Sequence, residues 1–436
     1  MSSATDFPAP GPSAASAADE AARELERHCR NIAPDVLDGR VVPVLGAGVN
    51  ICERPSSLKW HVDSGFLPSA AELAEHLADQ SAYTPDRYRP REGAAAADAQ
   101  YEPVFDLIRV SQYVEVLKGS VDLYRALHDV FDREYAPSVV HRFLAQLASA
   151  KLGSEPLLMV TTNYDFALEN AFRAAGIPYD LVTYVTDFPR NQRGRFTHAL
   201  WEPGQTTESE PKVITNPNKY TEVGATRPAI VKIHGAAKRG GDYKQDNYVI
   251  SEDDYIDYLM QPNTTNLLPV TIRERLSESH FLFLGYSLRD WNLRVILRRI
   301  WEAQWLSTRS WSVRLDADEM DEIFWHQQGV LTLRHPLLEY TLVLRRLCLE
   351  SFLRSYSQSS PDERQAIIES SSPEELFEQL ADEDRQALLN ELPPEQLKLF
   401  VEELPGRRRA RLVTALPESL LAQIRTAAGG SDRPSR

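Results

Sequence analysis

"LLMVTTNYDFALENAF", Leu157 to Phe172, decides how the chain is read. Apolar and β-prone residues run straight into Thr161-Thr162-Asn163-Tyr164-Asp165, and a helical pattern follows at once. A plain strand-to-helix turn needs a glycine or one capping residue. This junction carries hydroxyls, an amide, a phenol and a carboxylate instead. In open parallel sheets, ligands bind beyond the carboxyl ends of the strands. Polar chemistry at such an end is therefore where function is sought.

Three more predicted strands end in the same manner. "VVPVL", Val41 to Leu45, is followed by Gly46-Ala47-Gly48-Val49-Asn50. "AIVKIH", Ala229 to His234, ends in His234-Gly235. "SHFLFLG", Ser279 to Gly285, leads into Tyr286-Ser287 and a helical stretch from Trp291. "WSVRL" and "VLTL" read as later strands. Helical patterns separate them, one opening at Ser69 with Glu72 three residues on, a capping box. The stretch from Tyr83 to Ala99 reads as a loop or insertion, and Asp187 to Thr226 is polar with weak periodicity. The alternation predicts an α/β fold, a Rossmann-like parallel sheet with helices on both faces. With the strands parallel, all four polar clusters face one crevice.

Each cluster has a functional and a bland reading. Gly46-Ala47-Gly48 lets a backbone approach a phosphate and offers amide donors to it, or is a simple turn. The third glycine of the common dinucleotide fingerprint is missing, and this disfavours an ordinary dehydrogenase. His234 is a candidate base near neutral pH, or a satisfied core histidine. Asp165 is a candidate ligand contact or the cap of the following helix. Asn163 precedes that cap, where the strand delivers it to the crevice. Ser287 and Asp290 either contact a ligand or cap the helix at Trp291. Arg54 is a ligand clamp or an ordinary loop arginine.

The bulk numbers narrow the field. The chain has 436 residues, 42% of them hydrophobic and 25% charged, enough for a sizeable buried core. A formal charge of −15 argues against direct binding of nucleic acid or of a membrane surface. Three scattered cysteines, Cys29, Cys52 and Cys348, suggest no disulfide framework and no four-ligand zinc site, and fit a reducing cytoplasm. "MSSATDFPAPGPSAASAADE" reads as a disordered tail rather than a signal peptide, and no apolar run is long enough to span a membrane. The expected layout is a tail at 1–16, one α/β domain at 17–355, a helical array at 356–428 and a tail at 429–436.

That array is written in units of twelve from Ile368. The first position is always Ile or Leu (Ile368, Leu380, Leu392, Leu404, Leu416). The ninth is always large and apolar (Leu376, Leu388, Phe400, Leu412, Ile424). Each unit predicts one short helix plus a turn, too small to bury its stripe alone. The repeat resembles the short-helix array of bacterial magnesium transporters, in architecture only. Residues 361–405 hold 13 acidic and three basic side chains, and Arg407 to Arg411 then hold four arginines. That polarity suits docking on a second copy or a partner through residues 360–428, or is a solvated charge run.

Taken in order, "VPVLGAGVN", "VTTNYDFALENAF", "VKIHGA", "VISEDDY" and "FLFLGYSLRDWNLRVIL" resemble a sirtuin-type NAD-binding domain. The likeness is greater to bacterial sirtuin-like (silent information regulator 2-like) proteins, over about residues 41 to 297. The resemblance implies that Asn163 and Asp165 contact the nicotinamide-side ribose and that His234 is catalytic. It also implies that Gly46, Ala47, Gly48, Val49, Asn50, Thr162, Gly285, Tyr286, Ser287 and Asp290 surround the nucleotide. Two departures stand out. The four-cysteine zinc module of the deacetylases is absent, and Asn50 replaces the usual Ser, changing a phosphate or ribose contact. The resemblance therefore implies an NAD glycohydrolase, with NAD as substrate and no metal, of the type found in antiviral defence. A non-catalytic NAD or ADP-ribose sensor signalling through the array, or a zinc-free deacylase, remain as alternatives.

Overall fold

The structure, a computed structural model, describes residues 14–85, 88–90, 101–103, 105–150, 155–186, 192–260, 268–286, 310–315, 319–377 and 394–416. Its strands are β1 (Val41–Leu45), β2 (Tyr88–Pro90), β3 (Tyr101–Pro103), β4 (Leu158–Thr161), β5 (Tyr179–Tyr184), β6 (Phe196–Trp201), β7 (Lys212–Val213), β8 (Ala229–Lys232), β9 (Gly235–Ala236), β10 (Asn247–Tyr248), β11 (His280–Leu284), β12 (Ser310–Val313) and β13 (Val330–Leu333). Nine of them form one sheet in the order β13-β12-β11-β1-β4-β8-β5-β6-β7. Every pairing from β13 to β5 is parallel, while β5–β6 and β6–β7 are antiparallel. The sheet is thus mostly parallel. Its antiparallel extension comes from the polar stretch that sequence periodicity leaves blank.

Strand alternation builds the layers. Val41 and Leu45 point into one apolar cluster with Met159, Ile230, Leu282 and Leu284. Val42 and Val44 point into the opposite cluster with Leu158, Val160, Val231, Phe281 and Phe283. The first face is covered by the helices Ala14–Leu37, Val139–Ala150 and Leu337–Gln358. The second is covered by Val270–Glu278 and Glu319–Gln327 through Ile272, Leu276 and Trp325. A third cluster joins the helices Ala70–Ser81, Leu107–Lys118 and Ser120–Phe131 to Tyr164, Phe166, Ala237 and Tyr248 at the carboxyl edge. The capping box expected at Ser69 and Glu72 is formed. Within the stretch expected as a loop, β2 forms and pairs antiparallel with β3 just beyond it.

The C-terminal repeat is helical where it is described, over Pro394–Glu403 and Gly406–Ala415, with a 3₁₀ turn at Pro373–Phe377. Its first and ninth positions Ile368, Leu376, Phe400, Leu404 and Leu412 are buried. They pack into the first core layer rather than only on one another; Phe400, for instance, meets Phe352 and Tyr356 edge-on at 5.4 and 5.3 Å. Ten-residue helices present too little surface to bury each other, and Leu337–Gln358, which runs through residue 355, supplies the rest. Units two and five lie outside the described residues, apart from Leu416.

The central strands close at one level. Leu45 pairs with both Leu284 and Thr161, and Thr161 pairs with Lys232. Beyond that last rung, the end of β11 and the turn after β1 touch backbone to backbone. The N–H groups of Gly46 and Gly48 donate to Leu284 O (3.0 Å) and Gly285 O (2.9 Å). Gly285 has φ +61°, and a Cβ there would lie 2.5 Å from Val49 N. Gly285→Ala is therefore expected to cost about 3 kcal/mol or more, from left-handed strain plus the clash. Gly176 (φ +68°) has open space around its Cα, so Gly176→Ala should cost only about 1–2 kcal/mol. Urea denaturation of both variants checks this, and equal losses would refute the backbone contact.

Candidate functional site

Ala47, Asn163, His234 and Tyr286 each lie two residues past the last rung, at the same end of four adjacent parallel strands. The clusters that the sequence pointed to therefore meet at one carboxyl edge. Ser287 and Asp290 lie outside the described residues.

Most of the hydrogen-bonding capacity here is already committed. Thr162 gives its N–H and its hydroxyl to Leu45 O, at 3.2 and 3.4 Å, so it extends the β1–β4 pairing. Val49 N–H donates to Gly46 O (3.2 Å), Asn50 N–H to Ala47 O (3.1 Å), and the Val49 side chain is core. The amide donors expected for a phosphate are thus largely used inside the protein. A Cβ on Gly46 would meet Gly285 O at 2.6 Å, and one on Gly48 would meet Gly285 Cα at 2.7 Å. The glycines admit the neighbouring strand end. Tyr286 is likewise buried in the second core layer.

Arg54 is not an exposed loop residue. Its guanidinium forks onto Glu72 at 2.8 and 3.0 Å, with only 11% of the side chain exposed. It ties the turn after β1 to the capping box and is no free clamp.

Asp165 is 4% exposed and does two things. Its Oδ1 accepts from the N–H of Ala167 (2.9 Å), the first residue of the helix Ala167–Ala174, whose N-cap position is Phe166. Its Oδ2 accepts from Asn50 Nδ2 (2.8 Å), joining the β1 turn to the β4 turn. Asn163 is oriented by its own Nδ2, which donates to Gly46 O (3.2 Å), and its N–H donates to Thr161 Oγ1 (3.0 Å). Its Oδ1 has no partner among the described residues.

His234 is 2% exposed and stands edge-on to Tyr255 (5.6 Å) and Tyr258 (6.2 Å) of the helix Glu252–Met260. Its carbonyl accepts from Val249 N–H (2.9 Å), while Val249 O accepts from the Tyr164 hydroxyl (2.7 Å). One peptide segment therefore clamps the β4 and β8 ends together. Gly235 (φ +83°) makes the turn possible, because a Cβ there would sit 2.1 Å from Asn247 O.

Beneath the turn lies a charged pair that the sequence reading missed. Lys232 and Glu169, each with 1% of its side chain exposed, meet at 2.7 Å, and the same ammonium donates to Asp165 O. His141, 1% exposed, lies close enough to feel Asp165 and Lys232, and burial pushes its pKa down to about 4. A lysine on the last residue of an apolar strand was the visible signal for Lys232. Its partner 63 positions away was not visible. Among the described residues, no group of three or more His, Cys, Asp or Glu is placed to hold a metal ion. A cavity of about 360 Å³ opens at the opposite, amino-terminal edge of the sheet, between Gly39, Leu157, Pro178 and Pro228 and the segment carrying Ser371, Ser372 and Arg408.

In mostly parallel α/β sheets ligands bind beyond the carboxyl ends of the strands, the edge at which these polar residues lie. Residues 157–333 match the SIR2-like domain family. The chain is 28% identical over 211 residues to the NAD(+) hydrolase ThsA of Cytobacillus dafuensis, covering 48% of this chain and 33% of that protein. It is 21% identical over 216 residues to Defense-associated sirtuin 2 of Bacillus subtilis, covering 49% of this chain and 16% of that protein. The chain thus spans a third or less of the length of these curated relatives. A solved structure of a Sir2 homologue mutant with ADP-ribose matches 73% of this chain and 95% of its own, at 13% identity and a TM-score of 0.30.

Removing one partner of a buried ion pair leaves an uncompensated charge, at about 3–5 kcal/mol. Lys232→Met and Glu169→Gln are each expected to destabilise by that order. The double variant should recover much of the loss, because no lone charge remains. Denaturant melts of the three proteins decide it; simple additivity would show that the pair is not coupled.

Proposed function

We propose that the chain is an NAD glycohydrolase, breaking the bond between nicotinamide and ribose, and a cytoplasmic antiviral-defence effector. The observation that supports this reading is the pairing of β4 with β8, which ends at Thr161 and Lys232 and leaves Asn163 and His234 each two residues beyond it at the carboxyl edge. The likeness to a protein named NAD(+) hydrolase and to one named for defence supports it. Nicotinamide leaves with the bonding electron pair, and because it departs from a cationic ring it needs little acid help. Positive charge builds on the ribose as it goes. Asn163, with its donor turned to Gly46, directs the negative end of its amide dipole at that charge and at the attacking water. Water oxygen bonds to the ribose carbon, and His234 accepts the released proton. The products are nicotinamide, ADP-ribose and a proton. Asp165 fixes the pocket wall. Because His234 is buried behind Tyr255 and Tyr258, the helix Glu252–Met260 shifts to admit substrate. NAD is the substrate, and no metal is assigned a role.

The segment 360–428 is the candidate for self-association or partner docking. Part of its basic run is engaged at home, since Arg408 forks onto Glu374 and onto the carbonyls of Ile368 and Ser371. Arg407 stays exposed for a partner.

His234→Ala and Asn163→Ala are each expected to lower NAD cleavage by about 10²–10⁴-fold without loss of fold. Nicotinamide release by chromatography, with melting temperature as the fold control, measures it. Release within a few-fold of wild type in both would reject the catalytic assignment. Bound NAD with no turnover in wild type would favour the sensor.

A further inference from the structure

We propose that His128 is a positioning residue for His234, acting through the hairpin that continues from it. This assignment rests on the NAD reading above. His128 stands in the last turn of the helix Ser120–Phe131. Its Nδ1 lies 2.8 Å from Asp246 Oδ2 and its Nε2 lies 3.4 Å from Asp132 Oδ2. Asp246 is fully buried, and it also accepts from Lys238 N–H (2.6 Å) and the Tyr248 hydroxyl (2.8 Å). A carboxylate offers only lone pairs, so the imidazole donates to it through Nδ1. Burial pushes the Asp246 carboxyl up, and these three donors work against that. Removing one leaves a buried carboxylate short of a donor, which favours a shift of its segment toward water.

Little slack separates Asp246 from His234. β9 and β10 pair Ala236 with Asn247 and Gly235 with Tyr248. Val249 N–H donates to His234 O at 2.9 Å, and a Cβ on Gly235 would sit 2.1 Å from Asn247 O. Two ties hold this segment from the sheet side. The Tyr164 hydroxyl donates to Val249 O (2.7 Å), and Thr186 N–H donates to Asn247 Oδ1 (2.9 Å). His128 adds the tie at Asp246 from the helical layer. Beside it, Asp132 Oδ1 accepts from Gly240 N–H at 2.8 Å, so one helix end grips the hairpin at two points. A shift of Asp246 is passed along three residues of paired backbone to His234 O, and the ring follows. Misplacing a reacting group by about 1 Å costs up to about 10²-fold in rate.

Two neutral amides separate the contacts. In His128→Asn the amide nitrogen reaches the place of Nδ1 and keeps the bond to Asp246. In His128→Gln it reaches the place of Nε2 and loses that bond. Steady-state nicotinamide release by the full chain should keep kcat within about twofold of wild type in His128→Asn and drop it about tenfold or more in His128→Gln, with KM near wild type in both. Amide hydrogen exchange at Val249, whose N–H rests on His234 O, should quicken in His128→Gln alone, and it needs no substrate. Equal kcat in the two variants, or a loss carried by KM alone, overturns the assignment. Exchange that behaves as expected while wild type releases no nicotinamide overturns the NAD reading, and the positioning role falls with it.

Discussion

The carboxyl edge depends on one backbone contact, the seating of Gly285 against Gly46 and Gly48. Three residues without a Cβ let two strand ends approach until carbonyl and amide meet. With that contact made, β1 and β11 finish on the same rung, and β4 and β8 finish on it too through Leu45, Thr161 and Lys232. Everything assigned to the crevice lies one to six residues past that rung. A single Cβ in the contact would push the β1 turn away from β11 and carry Asn50 and Asn163 with it.

The second organising feature is where the donors go. The Thr162 hydroxyl, the Gly46 and Gly48 amides and the Nδ2 groups of Asn50 and Asn163 all bond within the protein. The two amide oxygens, Asn50 Oδ1 and Asn163 Oδ1, are left without a partner among the described residues. An acceptor-rich wall suits a sugar whose hydroxyls donate and whose ring carbon becomes cationic as a bond breaks. The buried Lys232–Glu169 pair holds the Asp165 carbonyl from below, so the wall is braced by charge that never reaches the ligand.

Much of this was legible in the sequence. β1, β4, β8 and β11 announce themselves as short apolar runs, and their polar ends stand out because parallel strands are otherwise apolar throughout. The twelve-residue period located the C-terminal helices. What stayed hidden depends on contacts distant in sequence. Gly46 and Gly48 read as a phosphate turn, because nothing near them says that Gly285 fills the space. Arg54 read as a loop residue until Glu72 met it. Asp180 opens β5 and His198 lies on β6, a polar pair that masked both strands, because each finds its partner only once the strands are side by side. The repeat gave its apolar positions but not their destination, since the long helix Leu337–Gln358 that receives them has no such period.

The central claim is that a nucleotide lies across the row Ala47, Asn163, His234 and Tyr286. A crystal structure of the His234→Ala chain grown with NAD addresses it most directly. The account predicts NAD at the carboxyl edge, with Asn163 Oδ1 beside the carbon that carries nicotinamide. NAD bound instead in the cavity at the amino-terminal edge, among Pro178, Pro228 and Arg408, would contradict it.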